Sequence, residues 1–198
     1  MDKILVFIAA LIPFCYLLFL TLTGGLGADP VETITHLTGE WTLNMLMLTL
    51  AVTPLRKLTK WNRLIRYRRM LGLYVFFYGC LHFLTYLVFD QFFDVTAITA
   101  DVIKRPYITV GFAAFVLLIP LAATSNNKMV QTLGKHWKSL HHLVYLIGVL
   151  GVLHFLWLVK LDKTEPLFYI AIFSILMLMR LRFARIAKLV TAGGDAGK

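Results

Sequence analysis

Cysteine is nearly absent from this chain. Cys15 and Cys80 are the only two, and both fall inside apolar runs. That excludes a disulfide framework and leaves them as small buried apolar side chains. No Gly-rich phosphate loop or dinucleotide fingerprint occurs, and no polar linker or low-complexity stretch marks off a soluble domain. Residues 1–198 therefore read as one module without a reductase domain of its own. Acidic residues are also few, ten against twenty Lys and Arg, for a net charge of +10.

What the chain has in quantity is apolar sequence. Its content is 59% hydrophobic, with a mean hydropathy of +0.77, too high for a soluble domain. Apolar stretches run over residues 4–23, 41–55, 70–89, 107–124, 143–159 and 167–179. A membrane-spanning helix needs about 20 such residues. The second and sixth runs are short and borrow from their flanks, residues 34–39 and the snorkelling Arg180. The expectation is an all-α polytopic bundle of six transmembrane helices. The first run is longer than the roughly 7–15-residue core of a signal peptide, so it reads as an uncleaved helix.

The excess positive charge suggests nucleic acid, but its distribution excludes that reading. Sixteen of the twenty basic residues fall at the N-terminus, between spans two and three, between spans four and five, or after span six. The opposite side keeps Lys104, Arg105, Lys160 and Lys163 but eight of the ten acids. The positive-inside rule then places both termini in the cytoplasm. Trp41, Trp61, Trp137 and Trp157 sit near span ends, as an aromatic belt requires. Phe92 and Phe93, in the outward loop 90–106, are expected at the interface.

One hexapeptide nearly repeats: Gly79-Cys80-Leu81-His82-Phe83-Leu84 and Gly151-Val152-Leu153-His154-Phe155-Leu156. Each copy puts an ionisable residue inside a span, where it is costly and points to function. His82 lies about 18 Å of helical rise beyond Met70, and His154 about 16–17 Å beyond Leu143. Both helices run outward, so the two imidazoles sit at matching depth. A lone membrane histidine is explained by a hydrogen bond to a neighbouring helix. A depth-matched pair fits the two axial ligands of a b-type haem. Gly79 and Gly151, three residues earlier on the same helical face, would let a macrocycle approach the backbone. Gly111 lies on a helix without a histidine and reads as unconnected to the site.

His141 is open between ligand and mouth residue, because thirteen residues of regular helix turn it about 220° from His154. His142 reads as a polar mouth residue, His136 as interfacial, and His36 as solvent-exposed or part of a helix start. The basic run Arg63–Arg69 is read as headgroup binding and topology, with phosphate recognition as the sharper alternative. The function implied is one-electron relay. The rival reading is a cofactor-free anchor or transporter.

The chain also resembles a known family, the MsrQ (YedZ) branch of the ferric-reductase-like transmembrane group. The resemblance rests on Gly24-Gly25-Leu26-Gly27-Ala28-Asp29-Pro30, Arg68-Arg69-Met70-Leu71-Gly72-Leu73 and Leu81-His82. It continues through Arg105-Pro106-Tyr107, Leu133-Gly134-Lys135-His136-Trp137, Leu140-His141 and His154-Phe155-Leu156-Trp157. It implies a multi-pass cytochrome b of the bacterial inner membrane, an electron-transfer subunit rather than a catalytic one. Its electrons would come from quinol, or from a cytosolic flavin reductase. They would pass to a periplasmic molybdopterin methionine sulfoxide reductase that repairs envelope proteins. It further implies FMN beside haem b, and ligand roles for His82, His141 and His154. A ferric reductase, or the cytochrome b subunit of another enzyme, is the alternative within the same class.

Overall fold

The computed structural model describes residues 2–195, with side chains described through Phe183. Of the basic residues after span six, Arg185, Lys188 and Lys198 lie outside the described side chains. The helices are α1 (Asp2–Thr23), α2 (Pro30–Thr59), α3 (Arg68–Thr85), α4 (Val95–Lys104), α5 (Pro106–Ala123), α6 (Asn127–Leu133), α7 (Lys135–His141), α8 (Leu143–Leu158) and α9 (Thr164–Asp195). A π-helical turn, Tyr86–Asp90, prolongs α3, and a 3-10 turn, Asn62–Arg66, links α2 to α3. No strand occurs among the described residues.

Among the described residues, five helices are long and apolar enough to cross a membrane: α1, α3 with its extension, α5, α7 joined to α8, and α9. The remaining long helix, α2, is 30 residues and begins well before its apolar run, taking in the flank 34–39. Asp29 caps it by accepting from the Glu32 amide at 2.9 Å, and Pro30 occupies the first turn, where a missing N–H costs nothing. Its Glu32, His36, Glu40 and Asn44 lower its apolarity, yet it sits centrally, with Leu46 and Leu50 in the core.

Contacts set the helix directions. Tyr74 and Tyr78 of α3 bond Phe7 and Ala10 of α1 in the same order, so α1 and α3 run parallel. Tyr169 meets Asn44 and Arg180 meets Leu50, so α9 runs with α2. α2 packs antiparallel to α3, and α5 to α8, as the histidine contacts described below require. The outer faces are apolar, for example Ile4, Ile8, Ile12 and Phe19 of α1, as lipid contact demands. Cys15 faces outward on α1 rather than inward, and both thiols are free.

Two proline breaks are closed by polar side chains from other helices. Pro13 weakens the α1 ladder, and the Tyr78 hydroxyl inserts there. It accepts from the Phe14 amide at 3.2 Å and donates to the Ala10 carbonyl at 2.7 Å. Pro54 has no N–H for the Leu50 carbonyl, and Arg180 Nη2 supplies the donor at 2.6 Å. Arg180 also donates from Nη1 to the Tyr145 hydroxyl at 2.8 Å. Contrary to the snorkelling expected of it, Arg180 turns inward. A satisfied carbonyl in a dry core outweighs a reach to the headgroups.

The loop after α3 holds a helix, α4, that hydropathy did not mark. Asp94 caps it by accepting from Thr96 and Ala97, and Asp101 ties it down through Gln91 and Arg105. Phe92 and Phe93 are exposed in this loop with φ of 46° and 60°, values L side chains rarely adopt.

Candidate functional site

His82 and His154 meet. Their ring centroids are 6.1 Å apart and their planes are inclined at 77°. The depth match read from residue counts therefore holds as geometry. The pair lies toward the end of the bundle where α2 and α5 begin, because the accepting carbonyls come from their first two turns.

Each imidazole is held the same way. His82 Nδ1–H donates to the Thr35 carbonyl of α2 at 3.0 Å. His154 Nδ1–H donates to the Tyr107 carbonyl of α5 at 2.7 Å. A carbonyl only accepts, so both rings carry their proton on Nδ1. Among the described residues neither Nε2 has a hydrogen-bond partner. Ligating histidines characteristically show this arrangement, one nitrogen fixed by a backbone oxygen and the other free for a metal. An imidazole–metal bond is about 2.0–2.1 Å, so two rings on opposite sides of one ion have centres about 6–6.5 Å apart. The observed separation fits.

The glycines beside the two rings are not the two on the histidine helices. A side chain at Gly79 would meet Leu118, Phe115 and Thr42 in ordinary contact, and one at Gly151 would meet Leu43 at 3.3 Å. Neither position lies against an imidazole; both face side chains of neighbouring helices. The glycines against the imidazoles are Gly39 and Gly111. A Cβ on Gly39 would lie 3.1 Å from the His82 ring, and one on Gly111 would lie 2.6 Å from the His154 ring. Gly111, read from sequence as unconnected to the site, is thus part of it. The missed signal was the 72-residue offset. The step from Gly79 to Gly151 and from His82 to His154 also carries Thr35 to Tyr107 and Gly39 to Gly111.

His141 is not brought to this pair. Only a turn at His142 separates α7 from α8, and His141 ends α7, thirteen residues before His154. Its ring stacks on Trp137 at 4.0 Å. The Thr124 hydroxyl donates to the Pro120 carbonyl, so His141 Nε2–H donates to Thr124 Oγ1, at 3.0 Å. His142 and His136 are exposed, and His36 is exposed beside Glu32 at 3.8 Å. No group of three or more His, Cys, Asp or Glu capable of holding a metal occurs among the described residues. A two-imidazole site therefore needs its remaining ligands from a prosthetic group, as haem supplies.

A recess of about 300 Å³ opens between α2 and α9, lined by Glu40, Thr164, Glu165, Phe168 and Tyr169. Glu40 directly follows Gly39, and Tyr169 packs edge-on against Phe155, the residue after His154. Phe168 is exposed at the rim of the recess.

The family model described as the ferric reductase like transmembrane component matches residues 38–152. Curated relatives match nearly the whole chain. A Herminiimonas arsenicoxydans protein, named protein-methionine-sulfoxide reductase heme-binding subunit MsrQ, is 57% identical over 185 residues, covering 92% of this chain and 85% of its own. Proteins of the same name from Ralstonia nicotianae and Rhodospirillum rubrum are 54% and 50% identical. They cover 90% and 91% of this chain, and 83% and 88% of their own. No solved structure matches the chain.

Proposed function

The chain belongs to the ferric-reductase-like transmembrane family, and within it to the MsrQ subunits; on that premise we propose that it is a multi-pass membrane cytochrome b that relays electrons. The observation that carries this is the His82–His154 pair, two imidazoles 6.1 Å apart with Nδ1 fixed and Nε2 free. Haem iron, when bound, supplies reversible one-electron exchange. The protein's part is to fix both rings through Nδ1, leaving Nε2 free, and to surround them with apolar helices. If His82 and His154 both bound one haem iron, no coordination site would be left for a substrate. The chain is therefore an electron-transfer subunit, not the catalytic one.

The finer reading follows the relatives' printed names and the family resemblance. Electrons enter from the quinol pool, or from a cytosolic flavin reductase, and leave to a periplasmic molybdopterin methionine sulfoxide reductase. The recess at Glu40 and Tyr169 supports a quinol donor, since it joins hydrogen-bonding groups to the exposed Phe168 ring. FMN rests on the resemblance alone. The charge partition supports cytoplasmic termini. A reporter after Lys198 should then be active only inside the cell and one near Asp94 only outside, and the opposite result would reverse the direction of electron flow.

The deciding experiment is an absorption spectrum with a pyridine haemochrome assay on the purified protein. A b-type, low-spin spectrum at one haem or more per chain is expected. A colourless protein would leave an anchor or transporter. Haem that is reduced by quinol but does not pass electrons to a methionine sulfoxide reductase would leave a ferric reductase, or another enzyme's cytochrome b, in its place.

A further inference from the structure

The two histidines are held by devices that repeat along the chain. In each, ring and accepting carbonyl are 47 residues apart. In each, the glycine under the ring lies four residues after that carbonyl, Thr35 to Gly39 and Tyr107 to Gly111. Helix geometry explains the spacing. A carbonyl at position i points toward residue i+4, whose amide it accepts. The Cβ of residue i+4 leans back toward the helix N-terminus, over that same oxygen. A ring from a neighbouring helix can reach the second lone pair of the carbonyl only where that Cβ is missing. The contacts that a Cβ would make, 2.6–3.0 Å to three atoms of the His154 ring and 3.1–3.2 Å to two of the His82 ring, express this. Neither glycine has positive φ among the described residues, so backbone freedom does not require glycine at either place.

We infer that Gly39 and Gly111 are positioning residues, which with the carbonyls of Thr35 and Tyr107 set the planes of the His82 and His154 imidazoles nearly perpendicular. This inference rests on the reading of that pair as haem ligands. The consequence is electronic. Parallel imidazole planes split the iron orbitals that overlap with the rings, whereas perpendicular planes leave them close in energy. The ferric low-spin signal is then strongly anisotropic, and the potential is displaced from that of the parallel arrangement. Two glycines on helices that bear no ligand would thereby tune the site.

The test uses the purified full chain and three variants, Gly39→Ala, Gly111→Ala and Gly79→Ala. Haem per folded protein, the low-temperature electron paramagnetic resonance spectrum and the midpoint potential are measured for each. The wild type should show the strongly anisotropic low-spin signal of near-perpendicular imidazoles. Because a ring turns more readily than a helix moves, Gly39→Ala and Gly111→Ala should still fold. Their largest g value should move toward that of coplanar rings and their potential should shift, more so for Gly111→Ala. Gly79→Ala, whose Cβ meets only ordinary contacts, should match the wild type. If Gly111→Ala proves too tight to load, Gly39→Ala carries the test with its softer contact. Selective haem loss at 39 and 111, with Gly79→Ala loaded, would also support the inference. Unchanged spectra and potentials in both variants, or the same response in all three, would overturn it. A wild type without a bis-histidine signal would overturn the haem reading itself, a separate outcome.

Discussion

The pair α2–α3 and the pair α5–α8 do the same thing with different supports. Both place a histidine late on the second helix against a carbonyl and a glycine early on the first. In the first pair the carbonyl belongs to Thr35, in the second turn of a 30-residue helix, and Thr38 Oγ1 stands 3.5 Å from the same ring nitrogen. In the second pair it belongs to Tyr107, right after Pro106, and the Tyr107 ring lies 6.3 Å from the His154 ring. At the far end the second pair has His141 and the first has Arg69, which bonds Asn127. The shared elements are a backbone oxygen and a missing Cβ, neither of which depends on side-chain chemistry. That is why the two halves can diverge almost everywhere else and still present matched imidazoles.

The strongest challenge to this equivalence is removal of either ligand. His82→Ala and His154→Ala should each remove most of the bound haem in the haemochrome assay, because each removes one of the two imidazoles that would hold it. Full retention by one variant would show that the halves are not equivalent. A smaller effect is expected at the proline break of the first pair. Arg180→Met leaves the Leu50 carbonyl without a donor and should lower stability by about 1–3 kcal/mol, read as an earlier thermal transition in detergent. No change would mean that Arg180 is incidental to the break at Pro54.

Milder still is His141→Ala. The second pair's additional histidine donates from Nε2 to Thr124, so the variant should keep the haem held by His82 and His154, with at most a perturbed reduction. Complete loss would mean that His141, not His154, is the partner of His82. The smallest effect belongs to Thr38→Val, which tests a contact found only in the first pair. At 3.5 Å the hydroxyl is a marginal acceptor, and its own proton goes to the Ile34 carbonyl at 2.7 Å. Only a slight shift in midpoint potential is expected, well below that of Gly39→Ala.

Much of this was legible before any coordinates. Apolar runs of bilayer length mark helices because lipid offers the backbone no partner, and all of them appear as helices. His82 and His154 were legible too, since an ionisable group in hydrocarbon is rare and two at equal depth are rarer. Other features were not. α4 is set by its Asp94 cap and by Asp101, local bonds that hydropathy does not register. Arg180 looked like an ordinary span-end cation until Pro54, 126 residues earlier, was seen to leave a carbonyl for it.

The glycines show where the boundary falls. The sequence by itself determined a membrane helix bundle, the two histidines and their common depth, because these follow from hydropathy and from spacing along one helix. It pointed to Gly79 and Gly151 because they share a helix with the ligands. Only the tertiary structure selected Gly39 and Gly111, since what a ring rests against depends on which helix packs beside it and in which register. Periodicity within one helix does not encode that choice. It is made by the close fit of neighbouring helices, where one absent methyl group decides whether an imidazole can reach a carbonyl.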